Sequence, residues 1–254
     1  SYLASFKSFE NDKVLVGAPT QVDNLLLTEN DYVHKNRYVC RPRYLVATTT
    51  LTGTTGNDLL NSPGVKATEV VGYQGDDTIT LVLTDDSASA GNGNDSITAN
   101  VSGSASNQIV GGQGDDSLFV TTAVISFGGN AQLGEGNDRY VNTGILANNA
   151  VFSGNQGNDT ISLGGNVINT FVGLGQGADS LALIAANTLT NATIFGGKGA
   201  DTITVSASVA TISTIQASEG HDSVLATALT GATIIQGGKG FDSIALGTAG
   251  GTIA

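Results

Sequence analysis

From Asp58 to Asp242 an aspartate recurs every 18 to 22 residues, and a glycine stands two residues before each copy. The aspartates are Asp58, Asp77, Asp95, Asp116, Asp138, Asp159, Asp179, Asp201, Asp222 and Asp242. The fullest copy of the unit reads Gly196-Gly197-Lys198-Gly199-Ala200-Asp201-Thr202-Ile203. A unit this short cannot bury an apolar face alone, so self-similarity at this period requires the units to stack on one another as a solenoid.

The apolar residues within each unit say how it stacks. Two residues after the aspartates come Leu60, Ile79, Ile97, Leu118, Tyr140, Ile161, Leu181, Ile203, Val224 and Ile244. Leu81, Val120, Leu163, Leu183, Val205 and Leu246 follow two residues later, an alternation that predicts a strand with one buried side. Seven residues before the aspartates, Val70, Ile109, Phe152, Val172, Ile194, Ile215 and Ile235 mark a second strand. The expected fold is all-β: a parallel β-solenoid of about ten coils of ~20 residues, roughly 45–50 Å long at the spacing of neighbouring strands. One turn of each coil carries the glycines; the other is variable, as in Thr84-Asp85-Asp86-Ser87, which reads as a solvated turn.

Stacking places one marker aspartate above the next. Two carboxylates ~5 Å apart repel by about 3–4 kcal/mol at an effective dielectric of 20. Successive contacts of this kind demand either cations between the coils or protonated carboxyls. An aspartate that only capped turn N–H groups would be replaceable by asparagine. Yet the marker is Asp in all ten copies, while the preceding residue is variously Asn, Asp, Ala, His or Phe. Carboxylates beside turn carbonyls are the hard oxygen donors that Ca²⁺ prefers.

The unit resembles the glycine-aspartate nonapeptide of RTX (repeats-in-toxin) proteins, and the resemblance covers roughly residues 53–246. It implies a β-roll binding Ca²⁺ between turns, with all ten marker aspartates as ligands. It also implies backbone carbonyls of Gly72, Gly111, Gly154, Gly196 and Gly237 as co-ligands in the best copies. RTX rolls carry tandem nonapeptides; here one turn per coil has the motif, which implies a single row of ions along one edge. The coils around Asp95, Asp138 and Asp222 have lost a glycine or read Ala217-Ser218-Glu219-Gly220-His221, which puts their occupancy in question.

Residues 1–50 are expected to form a separate capping or docking segment, ahead of a solenoid over 51–254. They hold six of the ten basic residues and four of the six tyrosines; residues 1–48 sum to +1 and the remainder to −13. The overall charge of −12 argues against nucleic acid as a partner, and no apolar run approaches the ~20 residues of a membrane span. No secretory signal pattern is visible at Ser1-Tyr2-Leu3-Ala4-Ser5-Phe6-Lys7. The two histidines, His34 and His221, have no partner at catalytic spacing, and the single Cys40 forms no intramolecular disulfide. The expectation is a non-enzymatic Ca²⁺-binding structural protein, self-associating into an extracellular surface layer, sheath, filament or adhesive coat. The alternatives are a virion decoration or fibre protein attached through residues 1–50, or an accessory module of a polysaccharide-active system.

Overall fold

The computed structural model describes residues 6–10, 13–16, 49–64, 67–82, 85–100, 108–121, 129–146, 150–184, 188–206, 209–227, 233–247 and 252–253. The expected cap or docking segment, with His34, Cys40, Arg37, Arg41 and Arg43, lies outside these apart from Phe6–Glu10 and Lys13–Val16, which pair antiparallel. The first strand of the solenoid proper is Thr49–Thr52.

Each coil approaches the glycine turn on one strand and leaves it on another. In the fullest copy the approach strand is Thr193–Lys198 and the exit strand Thr202–Val205. Approach strands stack in parallel into an eleven-stranded sheet and exit strands into a ten-stranded one. The register holds like upon like: Val172, Ile194, Ile215 and Ile235 lie in line on one wall. Leu181, Ile203, Val224 and Ile244 do so on the other. Alternate residues of both strands meet in a thin interior, where Val70, Ile79, Leu81, Val172, Leu181, Ile194, Ile203 and Ile215 are wholly buried. Burying side chains of this size contributes about 1.5–3 kcal/mol each. Because the contact is made only between neighbouring coils, that contribution exists only in the stack. The predicted two-strand coil and its register are therefore what the chain forms.

Two features were not expected. On the variable side, Val167–Ile168, Thr188–Thr190 and Val209–Thr211 build a third, three-stranded parallel sheet. The reading of Asp85-Asp86 as a solvated turn is corrected: Asp85 is exposed, but Asp86 is fully buried. Its Oδ2 accepts from Ser62 Oγ at 2.6 Å and its Oδ1 from the Thr68 N–H at 2.8 Å. It also accepts from the Val82 N–H at 3.1 Å, so this carboxylate ties together the far side of the first coils.

Candidate metal centre

The turn geometry explains why the glycines stand where they do. Gly197 and Gly199 have φ of 111° and 129°, a region that side chains with a Cβ rarely enter. At Gly199 a Cβ would also overlap the Gly177 carbonyl oxygen of the preceding coil. Both constraints recur from Gly75 to Gly240, which accounts for the glycine two residues before nine of the ten aspartates; at Gly56, in the first coil, a Cβ would meet nothing closer than 3.9 Å.

The turn ends by directing the marker aspartate inward. Asp77, Asp95, Asp116, Asp138, Asp159, Asp179, Asp201 and Asp222 are 0–2 % exposed, whereas Asp58 and Asp242, at the ends of the row, are half-buried. In every coil Oδ1 accepts a hydrogen bond from the marker N–H of the coil before it, at 2.7–3.0 Å from Asp58→Asp77 through to Asp222→Asp242. The aspartates do cap turn amides, but across coils and with one oxygen only. Oδ2 of the eight interior carboxyls is buried without a hydrogen-bond partner. At the first coil the row is closed: Asp58 Oδ2 accepts from the Thr54 N–H at 2.6 Å and from Thr54 Oγ1 at 2.9 Å.

A second row runs outside the first with the opposite polarity. The residue before each marker is exposed, and its Oδ1 accepts from the equivalent N–H of the following coil at 2.6–2.9 Å. Asn57, Asp76, Asn94, Asp115, Asn137 and Asn158 serve in turn. His221 plays the same part near the far end, where its Nδ1 accepts from the Phe241 N–H at 3.0 Å and its ring stacks on Phe241. Asparagine, aspartate and histidine all meet a requirement for one acceptor. The inner row uses aspartate alone.

Beside each unpartnered Oδ2 is the backbone five residues upstream. A Cβ at Gly72 would overlap both Asp77 Oδ2 and the Ala90 carbonyl oxygen of the next coil. Gly111 stands in the same way between Asp116 and the Leu133 carbonyl, Gly154 between Asp159 and the Leu174 carbonyl, and Gly196 between Asp201 and the Ala217 carbonyl. Gly53 stands between Asp58 and the Gly72 carbonyl, and Gly237 beside Asp242. The structure thus brings all five expected co-ligand glycines against a marker carboxylate. Around the four cradles from Gly72 to Gly196, the facing carbonyl belongs to the residue at the same position one coil on. Ala90, Leu133, Leu174 and Ala217 were not singled out from the sequence, because their side chains carry no chemistry and only their carbonyls face the turn.

A carboxylate oxygen and a carbonyl oxygen facing each other in a buried cradle need a cation or a proton between them. Burial pushes the Asp116 and Asp159 carboxyls up to about 7 and Asp138 and Asp201 up to about 6. The hydrogen bond from the preceding coil offsets this in part, and neighbouring carboxylates add to it. Asp77, Asp95, Asp179 and Asp222 are raised for the same first reason. Among the described residues no three His, Cys, Asp or Glu side chains converge on one point. A cation here would take carboxylate and backbone oxygens together, a donor set that suits Ca²⁺ and not a softer metal.

These features define a parallel β-solenoid with a row of buried aspartates along one edge, each of the eight interior ones keeping an unpartnered carboxyl oxygen. The sequence pattern of the RTX calcium-binding nonapeptide repeat matches four stretches, residues 71–102, 101–120, 147–166 and 188–207. The chain thus carries RTX-type calcium-binding repeats, four of them matched, on a β-helical fold. A similar solved structure is the X-ray crystal structure of a hyperactive, Ca²⁺-dependent, β-helical antifreeze protein from an Antarctic bacterium, with a TM-score of 0.57 and 24 % identity. The match covers 80 % of this chain and 63 % of that one, and shows a shared fold. No curated protein matches.

Proposed function

We propose that the chain is a non-enzymatic, Ca²⁺-stabilised rod that builds an extracellular assembly such as a surface layer, sheath, filament or adhesive coat. The observation that carries this reading is the row of eight buried, unpartnered Oδ2 atoms. It makes the folded state conditional on a cation that is ~millimolar outside cells and scarce inside, so folding follows export by mass action. The outer face of the approach sheet supports lateral association. It exposes Val110, Val151, Phe171 and Ile234 by 37–44 % on a straight, periodic surface. Among the described residues, Asp86 holds the first coils, His221 belongs to the outer row, and Glu219 pairs with Lys239 at 2.6 Å, so these three groups serve the frame.

Negative-stain images of the purified protein with and without Ca²⁺ test the proposal. Sheets or filaments that form in Ca²⁺ and disperse in EGTA are expected. Discrete small oligomers favour a virion component, and monomers at high concentration in Ca²⁺ overturn the assembly reading.

A further inference from the structure

The position five residues before each marker alternates along the stack. From the second coil it reads Gly72, Ala90, Gly111, Leu133, Gly154, Leu174, Gly196, Ala217, Gly237. The register places these residues in one inward-facing line: Tyr73 pairs with Gly91, Gly112 with Gly134, Asn155 with Gly175 and Gly197 with Ser218, each one residue further on. Ala90, Leu133, Leu174 and Ala217 are buried to 0–1 % exposure, so their side chains sit inside the turn edge. Where the residue is glycine, Oδ2 and the next coil's carbonyl oxygen both crowd the place a Cβ would take. Where it is alanine or leucine, a Cβ stands at the position that glycine leaves vacant.

Charge balance agrees with the same count. The eight interior carboxyls with an unpartnered Oδ2 fall into four pairs, Asp77 with Asp95, Asp116 with Asp138, Asp159 with Asp179, and Asp201 with Asp222. Each pair spans one glycine cradle, at Gly72, Gly111, Gly154 and Gly196, where the first carboxyl's Oδ2 and a carbonyl of the second carboxyl's coil come together. One divalent ion per glycine cradle neutralises its pair. An ion in every gap would place two positive charges for each carboxylate of the inner row, in a setting where uncompensated charge is costly. The ends of the row drop out of the count, because Thr54 already satisfies Asp58 Oδ2 and no following-coil carbonyl is among the nearest atoms at Gly237.

We infer that Ca²⁺ occupies alternate gaps of this solenoid, four along the turn edge, and that the glycine five residues before the marker decides which gaps take an ion. The cation-binding unit is therefore two coils, about forty residues, although the folding unit is one. The inference rests on the calcium reading and is separable from it.

The test counts and locates the ions. Protein saturated with Ca²⁺ is desalted and its bound metal measured by plasma mass spectrometry, and crystals grown in Ca²⁺ are searched for calcium by anomalous scattering. Four ions are expected along the edge, between Asp77 and Asp95, Asp116 and Asp138, Asp159 and Asp179, and Asp201 and Asp222. Ions in every gap, or in the alanine and leucine gaps, overturn the alternation and leave the calcium reading standing. No bound calcium overturns the calcium reading itself. Gly154→Ala is expected to lower the count from four to three, with the loss at Asp159. Gly164→Ala is the control: a Cβ there would meet nothing closer than 3.4 Å, and the count should stay at four.

Discussion

Replacing Asp116 by asparagine separates the two demands placed on the inner row. The Asp95 N–H now reaches Asp116 Oδ1 at 2.8 Å, and a side-chain amide oxygen in the same place can still accept it, so the hydrogen bond across coils survives. Only the charge is lost. Burial pushes this carboxyl up to about 7, and the charges of Asp95, Asp138 and Asp115 add to the rise. At pH 8 without calcium the folded chain must ionise it, and each tenfold gain in its proton affinity on folding costs about 1.4 kcal/mol. Allowing for solvent screening at a turn near the surface, Asp116→Asn is expected to stabilise the calcium-free protein by about 2 kcal/mol. The sign reverses in Ca²⁺, where the variant lacks a charged ligand and should melt below the wild type. The pH dependence follows from the raised carboxyl. Below about pH 4 both the folded and unfolded forms are protonated, and the calcium-free wild type keeps its full stability. That stability falls as pH rises from about 4 through 7, because the folded state holds the proton longer. The gain from Asp116→Asn in EGTA should therefore shrink towards zero near pH 4. The assay is thermal melting by far-UV circular dichroism, for both proteins, in EGTA and in Ca²⁺, at pH 4 and pH 8. Equal destabilisation in EGTA and in Ca²⁺ at pH 8 would refute the reasoning, because it would make the carboxylate an ordinary cap.

Three further substitutions probe the frame around the row. Gly199→Ala forces a Cβ into the left-handed region and onto the Gly177 carbonyl oxygen, and is expected to cost about 3 kcal/mol or more, read as a loss in melting temperature in saturating Ca²⁺. Asp86→Ala strips the acceptor from Ser62 Oγ and the Thr68 N–H; a loss of about 3 kcal/mol is expected, with faster amide exchange confined to the first coils and no change in bound calcium. Tyr73 is half-exposed with φ of 85°, where a Cβ is strained, so Tyr73→Gly should raise stability by about 1 kcal/mol in a melt. A decrease there would show that the ring contributes more than the backbone strain removes.

The solenoid was legible because its determinants are local and repeated. Ile203 two residues after Asp201 and Ile194 seven before it predict two strands, and the period predicts that like residues stack, as Ile194 does on Val172 and Ile215. What escaped was whatever one coil does to the next in only one place. Asp86 reads as part of a polar turn because its partners, Ser62 and Thr68, are 24 and 18 residues away and come alongside only after stacking. The strands Val167–Ile168, Thr188–Thr190 and Val209–Thr211 escaped because the side of the coil they occupy varies in length and carries no repeated marker. The carbonyls of Ala90, Leu133, Leu174 and Ala217 could have been found from the alternation at that position, a pattern with a period of about forty residues beneath the shorter one.

The inner and outer rows together argue for what the inner aspartates are for. Both rows run the length of the same turn, and both supply an acceptor to an amide one coil away, at 2.7–3.0 Å inside and 2.6–2.9 Å outside. Outside, the acceptor is Asn57, Asp76, Asn94, Asp115, Asn137, Asn158 or the His221 ring, and Ala178, Ala200 and Phe241 are tolerated. Solvent satisfies whatever a side chain there leaves unmade. Inside, burial removes that option, and an asparagine would be the lower-cost residue if one acceptor were the whole requirement. Ten aspartates in that position, eight of them with a second oxygen left bare, fit a requirement for charge and not for a cap. The outer row thus serves as the internal control for the inner one, within a single chain and a single turn geometry.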